Sequence, residues 1–495
     1  MKRLQLTLAV LLFATISLVA QSEFDDAIKQ LEKSDLEIKD PEKSGKLKTW
    51  EKRAKICTDA YLVNIRGLRF GMQAKKTEQN LFDNLEIFFG TPTKIETKDN
   101  LDYWYYPNVT LCIQDNTLSY WKEEKVVDKD ALQKAVIAYR EAIKIDDQSG
   151  KGSYKNKATT MKSIAELRGL FTTKAVNEYY AGDFANSAKS FSAALDLMDL
   201  PRETNDTTFS EGMAAHYGGE SAFKALLNED AKRLFRLSID KNYLIGRSYH
   251  FLYDIYISEN DSLKALEVIK EGFEKYPNEE QILYDVINYY LGKKQPEKAE
   301  EYLDIAIARY PENTSLYLVK ANMYMTDYSA SKASYLNKRK EADSLRKAAF
   351  RVRDNKKEND RLTKENENAL AAAEKVKANW VKRHNDAENL LNQITTIDSK
   401  SFEAYFLKGV MYYDRADLAR EEKNMIPFSE DKDGSKAAAK ELEEKSGMTK
   451  SVENFELAHQ INPKDKDVLQ SLKSIYYKLG ETEKYKIAKE KLENL

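Results

Sequence analysis

A recurrence in the middle of the chain constrains the fold more than any other feature of the sequence. The segment KALEVIKEGFEKYP, which begins at Lys264, has a counterpart KAEEYLDIAIARYP that begins at Lys298, 34 residues later. Apolar residues in both segments recur every three or four positions, which indicates an amphipathic helix. A period of this length accommodates two helices and a turn, so the sequence predicts a stack of helix pairs.

The residue types in this period resemble those of the tetratricopeptide repeat (TPR) family. Ala265 and Ala299 are small where two helices approach closely, and Pro277 and Pro311 end the second helices. Proline ends a helix because it lacks an amide donor and clashes with the preceding turn. Tyr253 departs from the pattern, since the family has glycine or alanine there. The resemblance implies a mainly α fold, a TPR helix-turn-helix solenoid, whose role is to bind protein partners.

Three repeat units are interrupted between their first and second helices, and the interruptions define the predicted domains. The boundaries are 1–20 for a signal peptide, 21–65 for N-terminal TPR helices, 66–125 for a small α+β insert, 126–328 for TPR units, 329–382 for a charged helical insertion, and 383–495 for C-terminal units and a cap with a loop insertion at 419–447. Insertions in repeat proteins collect on one face, and that face often binds.

The first insert contains LDYWYYPNVTLCIQDNTLSYW at 101–121, whose β-branched and aromatic residues predict two or three strands. A helix is expected before them, from about Thr77 to Phe89. The order of Gly71-Met72, Gly90-Thr91-Pro92 and the Asp115-Asn116 turn resembles the small α+β module of BamE-type outer-membrane-assembly lipoproteins, which implies a protein-contact role. The candidate surface residues of this insert are Trp104, Tyr106 and Trp121. Alternatively, these rings pack against the helices.

The other two insertions differ in composition. The segment 329–382 is dense in charge and has neither proline nor glycine, so it can extend two helices into an antiparallel hairpin that turns near 353–356 and projects roughly 40 Å. Such a hairpin is either a solvated helical pair or an arm that binds a partner. The segment 419–447 contains Ile426-Pro427-Phe428 followed by charged residues, and a loop with little structure is expected there.

The first twenty residues have a basic start and an apolar run from Leu4 to Val19, the form of a secretory signal peptide. The mature chain is therefore expected to begin at Gln21, to lack an integral membrane span, and to be periplasmic in a Gram-negative bacterium. Its style is similar to that of exported TPR proteins of Bacteroidota. In an oxidising compartment Cys57 and Cys112 could form a disulfide, but both are expected to be unpaired.

The bulk composition argues against several functions. Lysine and arginine number 79 and aspartate and glutamate 81, so no net positive field favours nucleic acid. Four scattered histidines and two cysteines supply little material for a metal site. The stretch SGKGS at 149–153 lacks the spacing of a phosphate-binding loop. The chain is thus expected to be no enzyme, to need no cofactor, and to bind protein partners within an envelope-associated complex.

The candidate binding residues project from the first helices of the units into the concave groove that the TPR resemblance implies. They are Arg247, His250, Asp254, Tyr284, Asn288, Asn322, Met325, Phe406 and Tyr413. Rings and amides on a rigid wall suit an extended peptide, whose backbone needs hydrogen bonds and whose side chains need pockets. The leading hypothesis is a periplasmic scaffold or adaptor that binds through this groove and the decorated edge. The alternative is an accessory factor of envelope assembly or polysaccharide handling whose groove binds glycan or lipid.

Overall fold

The structure, a computed structural model, describes residues 22–75, 84–203 and 209–495. The described chain divides into two compact units, the first ending at Asp285 and the second beginning at Val286. The predicted signal peptide lies outside the described residues. The first unit begins with helix α1 over 22–37, α2 (Pro41–Ser44) and α3 (Leu47–Leu62).

The first insert follows α3 and contains a short helix and a four-stranded sheet. Its elements are α4 (Leu85–Phe89), β1 (Lys94–Lys98), β2 (Leu101–Tyr105), β3 (Val109–Gln114) and β4 (Thr117–Glu123). The strands pair antiparallel in chain order. Two-residue turns join β1 to β2 at Asp99-Asn100 and β3 to β4 at Asp115-Asn116, and all four residues have positive φ, which short polar residues tolerate best.

The insert differs from its prediction in two respects. Four strands are present where two or three were predicted. The prediction missed β1, because every residue of this strand is exposed and its KIETK sequence shows no apolar alternation. Of the helix predicted from Thr77 to Phe89, the structure describes only α4, since 76–83 lie outside the described residues.

Trp104, Tyr106 and Trp121 are not surface residues, and their prediction as an exposed patch is wrong. Trp104 is 2% exposed, and all three rings belong to the hydrophobic core of the insert. The register explains the burial of the two tryptophans. Trp104 lies opposite Leu111, and Leu111 lies opposite Trp121, so Trp104, Leu111 and Trp121 share one sheet face. This face packs against Ile65 and the end of α3. The alternative, that the rings serve packing, is confirmed.

Both cysteines are free thiols, as predicted, and both are buried. Burial raises the pKa of Cys57 to about 11, and it also raises the pKa of Cys112 above its ordinary value. Cys112 lies on the sheet face opposite to Leu111, where it pairs across the strands with Tyr103 and Tyr120. Neither thiol is therefore activated for chemistry.

The rest of the first unit consists of consecutive helix pairs. The helices are α5 (Ala131–Gln148), α6 (Ala158–Tyr180), α7 (Phe184–Asp196), α8 (Glu211–Lys224), α9 (Asn228–Asp240), α10 (Ile245–Ser258) and α11 (Ser262–Lys275), and α12 (Glu280–Gly292) contains the boundary between the units. Helix α3 pairs with α5 across the insert, and α6 with α7, α8 with α9, and α10 with α11.

Small residues allow the paired helices to approach closely. A Cβ atom added at Gly219 of α8 would lie 2.9 Å from the ring of Phe235 on α9, which real Cβ atoms do not do. Asp183, Ser210 and Asp261 cap the amino termini of α7, α8 and α11 with their side chains, which satisfies amide groups that have no partner within the helix.

The second unit contains two elongated hairpins. Its helices are α13 (Pro296–Arg309), α14 (Thr314–Arg351), α15 (Lys356–Ile397), α16 (Phe402–Asn424), α17 (Ser435–Ile461), α18 (Lys466–Leu479) and α19 (Thr482–Glu493). Helices α14 and α15 form the predicted charged hairpin, so the fold class, a mainly α TPR-type repeat with a small α+β insert and a helical hairpin insert, is confirmed.

The loop predicted at 419–447 is wrong, because α16 continues to Asn424 and α17 begins at Ser435. Only the connection at 425–434 interrupts the two helices, and it contains Ile426-Pro427-Phe428. Within this segment the buried positions of the two helices are Ala419 and Glu422 on α16 and Gly447 on α17. Small residues and a paired carboxylate therefore hold these turns, and the sequence shows no apolar periodicity there.

A buried carboxylate ties the two hairpins together. Glu422 on α16 accepts hydrogen bonds from Tyr335 Oη on α14 at 2.6 Å, Lys377 Nζ on α15 at 2.6 Å, and Lys440 Nζ on α17 at 2.9 Å. We call these four residues the Glu422 cluster. Burial alone would raise the pKa of Glu422, but its three partners hold it below the ordinary value.

Candidate functional site

A row of polar side chains crosses four successive first helices of the first unit. It runs from Tyr179 on α6 through Glu220 on α8 and Arg247 and His250 on α10 to Asp285 on α12. We call these five residues the polar row. Arg247 and His250 are three residues apart and so share one face of α10.

The first half of the row is held by one hydrogen bond and two ion pairs to Glu220. Tyr179 Oη donates to Glu220 Oε1 at 2.8 Å, and Arg247 Nη2 lies 3.6 Å from Glu220 Oε2. Lys224 Nζ lies 3.4 Å from Glu220 Oε1. Two cations thus surround one nearly buried carboxylate. The Arg247 side chain remains 54% exposed and lies over the ring of Phe251, so its guanidinium has donors free to bind a ligand.

The second half of the row centres on His250. Its Nδ1 lies 3.0 Å from Asp285 Oδ1, and its Nε2 lies 3.5 Å from Asp254 Oδ2. Gln281 Nε2 also donates to Asp285 Oδ1, at 3.2 Å. The hydrogen bond with Asp285 raises the pKa of His250, and burial raises the pKa of Asp254. Among the described residues, nothing bonds the buried Oδ2 atom of Asp285, so the row retains an acceptor without a donor.

Four of the predicted groove residues lie on α10 and α12, the two helices that carry the second half of the row. Arg247, His250 and Asp254 lie on α10, and Tyr284 lies on α12, where its hydroxyl donates to Glu280. The prediction missed Tyr179, Glu220 and Asp285. Tyr179 and Glu220 belong to units with a weaker repeat pattern. Asp285 was missed because Tyr284, the residue before it, was predicted to face the groove. The distance in sequence between partners, 41 residues for Tyr179 and Glu220, gave no local signal.

The remaining candidates belong to the second unit. Asn288 and Asn322 are exposed, and Met325 packs partly against the core around Tyr324 and Ala387. The other two are rings with neighbours already in place. Phe406 stacks on Phe402 with ring centroids 5.9 Å apart and contacts Phe455, and Tyr413 accepts a hydrogen bond from Lys478, which also lies over its ring. A binding role for these residues stays a prediction.

The first unit also holds a cavity of about 430 Å³ where the insert meets the helices. Its walls include Tyr61, Trp121, Glu123 and Lys174. The amide of Asn177 on α6 closes one side, since it accepts from Trp121 N at 2.9 Å and donates to Trp121 O at 3.0 Å. This pair of bonds imitates a neighbouring strand and fixes β4 to α6.

Glu123 in this cavity should make stability depend on pH. Burial raises its pKa from 4.5 to about 7, although Asn64 and Lys174 lower it in part. The carboxyl of Glu123 is harder to ionise in the folded state than in the unfolded state. Its neutral form therefore contributes to stability fully below pH 4.5, and this contribution to the free energy of unfolding is lost as the pH rises through about 7. Glu123→Gln should therefore stabilise the first unit by roughly 2–4 kcal/mol near pH 8 and by little near pH 5.

Thermal unfolding followed by circular dichroism at both pH values checks this expectation. Glu124→Gln, a change at the exposed neighbouring residue, is the control and should leave the pH profile unchanged. Equal stabilisation by Glu123→Gln at both pH values would show that the carboxyl is not the group that titrates.

The described residues contain no cluster of three or more histidine, cysteine, aspartate or glutamate side chains able to hold a metal ion. Within the same ranges, no helix has the length and apolarity needed to cross a membrane.

The first residues of α11 and α13, Ser262 and Pro296, are 34 residues apart and begin the second helices of adjacent pairs. The fold class is that of TPR proteins.

Comparison with known proteins gives structural similarity alone. No protein-family profile matches the sequence, and no curated relative matches it. Similar solved structures include a TPR repeats protein from Bacteroides fragilis, 13% identical over 63% of this chain and 98% of that chain, with a TM-score of 0.27. The C-terminal part of a TPR repeat-containing protein from Cytophaga hutchinsonii is 10% identical over 68% and 94%, with a TM-score of 0.33.

A third similar structure is YrrB, described as a TPR protein with an unusual peptide-binding site. It is 17% identical over 39% of this chain and 84% of its own, with a TM-score of 0.22. At these identities and TM-scores, the function of the present TPR-type chain has to be argued from its own side chains.

Proposed function

We propose that the chain is a non-enzymatic interaction scaffold that binds an extended segment of a protein partner along the polar row. The observation that carries this proposal is the continuity of the row over four successive helices, from Tyr179 to Asp285, on rigid elements. An extended peptide offers alternating N–H and C=O groups, and it pairs with a line of fixed donors and acceptors.

The chemistry of the row suits such a peptide better than a compact ligand. The exposed guanidinium of Arg247 supplies donors for backbone carbonyls or for a side-chain carboxylate. Asp285 is buried and holds His250 and Gln281 in place, and the exposed amide of Gln281 supplies a donor and an acceptor for a peptide backbone. Each of these groups is already held by a neighbour, so little side-chain entropy is lost when a ligand binds.

We also propose that the chain acts in the periplasm and that the insert contributes to binding. The signal-peptide pattern of residues 1–20 supports export to the periplasm, where the chain would act within an envelope-associated complex. The insert supplies a second contact surface at the edge of the repeats. Its outer sheet face carries the partly exposed Tyr103 with the exposed Lys122 over its ring. The buried Tyr120 supports them, since its hydroxyl lies 3.5 Å from that of Tyr103. No cofactor and no nucleic acid are part of this function.

Peptide display selection tests the proposal. The chain from Gln21 onward, which retains both folded units, is immobilised and used to select binders from a random-peptide library. Fluorescence anisotropy then measures the affinity of a selected peptide for Arg247→Ala and Tyr284→Ala variants. Since a hydrogen bond to a charged group is worth about 1.5–3 kcal/mol, Arg247→Ala should weaken binding roughly tenfold or more.

Arg236→Ala is the matched control, because Arg236 lies on a second helix, α9, where it pairs with Glu271. It should bind the peptide as the parent chain does. If Arg236→Ala and Arg247→Ala lose the same amount of affinity for the peptide, the polar row is not part of the binding surface. Binding to immobilised glycans or lipids, with no peptide recovered, would instead favour the alternative of an accessory factor in glycan or lipid handling.

A further inference from the structure

The hairpin of α14 and α15 extends beyond the Glu422 cluster. Tyr335 of α14 bonds to Glu422 near the end of α16, and α14 continues for another 16 residues to Arg351. At 1.5 Å per residue this projection is about 24 Å. Residues 346–357, which we call the arm tip, form the end of the hairpin and the turn that joins its helices.

The arm tip is far more basic than the rest of the chain. Its sequence RKAAFRVRDNKK contains six lysine and arginine residues and a single carboxylate, Asp354, in a chain whose net charge is −2. Asp343 pairs with Arg346 and with Lys347. Within the described ranges, no carboxylate pairs with Arg351, Lys356 or Lys357.

The positions of two of these lysines are unfavourable for the helix itself. Lys356 and Lys357 are the first residues of α15, where the partial positive charge of the helix dipole repels a cation. Asn355 caps this end through a bond from Glu358 N at 3.3 Å. Because these lysines oppose the local electrostatics and have no ion-pair partner in the described structure, helix stability does not account for them.

An exposed ring accompanies the charge. Phe350 is 68% exposed near the end of α14. The guanidinium of Arg353 lies 5.1 Å from the centroid of its ring, so a cation and an apolar surface are presented together. Aromatic and basic side chains in this combination suit the boundary between lipid headgroups and acyl chains.

We propose that the arm tip is a contact site for an anionic phospholipid surface. The ends of two helices form a small convex surface, whereas a stable protein interface needs about 800 Å² from each partner. A planar array of lipid phosphates can meet several tip cations at once while Phe350 enters the interface. This proposal does not depend on the polar row or on a peptide ligand.

Vesicle co-sedimentation tests it with the chain from Gln21 onward. Vesicles of phosphatidylglycerol mixed with phosphatidylcholine should bind the chain, and vesicles of phosphatidylcholine alone should not. Each basic residue near an anionic surface contributes about fivefold in binding. A double variant, Lys356→Glu with Lys357→Glu, should therefore weaken binding more than twentyfold, and Phe350→Ser should weaken it at both low and high salt.

Lys486→Glu with Lys489→Glu on α19 is the control, because it changes the net charge equally at exposed positions away from the tip. It should bind anionic vesicles nearly as the parent chain does. Circular dichroism verifies that each variant is folded. Failure of the parent chain to bind anionic vesicles would overturn the proposal, as would equal loss in the control. Binding of the parent to polyglutamate but not to vesicles would assign the tip to an acidic protein partner instead.

Discussion

Trp104→Ala should unfold the sheet of the insert while the helices of the second unit remain intact. The indole is 2% exposed and lies opposite Leu111 in the centre of the insert core. Truncation of a buried tryptophan costs about 3–5 kcal/mol, a large amount for a four-stranded module. Near-ultraviolet circular dichroism should lose the tryptophan signal of the insert, and limited proteolysis should cut within 66–125.

The matched control is the adjacent residue of the same strand. Tyr105 points to the opposite face, is half-exposed, and donates a hydrogen bond to Glu96 at 2.8 Å. Tyr105→Ala should leave the sheet folded and resistant to protease. If both variants behave alike, the two faces of the sheet do not differ in burial as described. Loss of the sheet should also break the two bonds between Asn177 and Trp121, while α6 remains paired with α7.

Glu422→Ala should strongly destabilise the second unit. It leaves Lys377 and Lys440 without their shared carboxylate and Tyr335 without its acceptor. Removal of one partner from a buried ion pair costs about 3–5 kcal/mol. Chemical denaturation of the chain from Gln21 onward should show this loss in the transition of the second unit, identified by the fluorescence of Trp380 on α15.

The neighbouring Glu421→Ala is the control, since the Glu421 carboxylate is partly exposed and lies 3.9 Å from Arg420. It should shift the transition by less than about 1 kcal/mol. The pH dependence gives a second check. The pKa of Glu422 is lowered on folding, so its contribution is present above 4.5 and is lost as the pH falls through the folded-state value. Equal effects of the two alanine variants would contradict the Glu422 cluster.

The sequence predicted those parts of the structure that depend on local periodicity. The helices of 264–309 were predictable because small residues, apolar spacing and proline all agree within one period. The charged hairpin was predictable for a different reason: a long segment without proline or glycine has few alternatives to helix. The loop predicted at 419–447 was wrong because only the connection at 425–434 lies between the helices. The prediction also included the charged residues on both sides, which belong to α16 and α17.

The candidate site was harder to predict because it depends on pairs distant in sequence. Arg247 and His250 were identified from their place on one helix, but their partners Glu220 and Asp285 come from the helix pairs on either side. The aromatic residues of the insert show the same difficulty. Alternation on β2 separates Trp104 from Tyr105 but does not say which face is covered. The cover is supplied by the end of α3 and by residues 65–74.

The two outer strands of the insert are protected from pairing with further strands in different ways. On β4, the amide of Asn177 occupies the N–H and C=O of Trp121, so the hydrogen-bonding edge is already used there. On β1, no described strand pairs with the outer edge, and Lys94, Glu96 and Lys98 place charges along it. Charged residues on an open edge discourage the pairing of identical strands. The insert is therefore built to resist strand-to-strand aggregation, even when many copies of the chain are held close together.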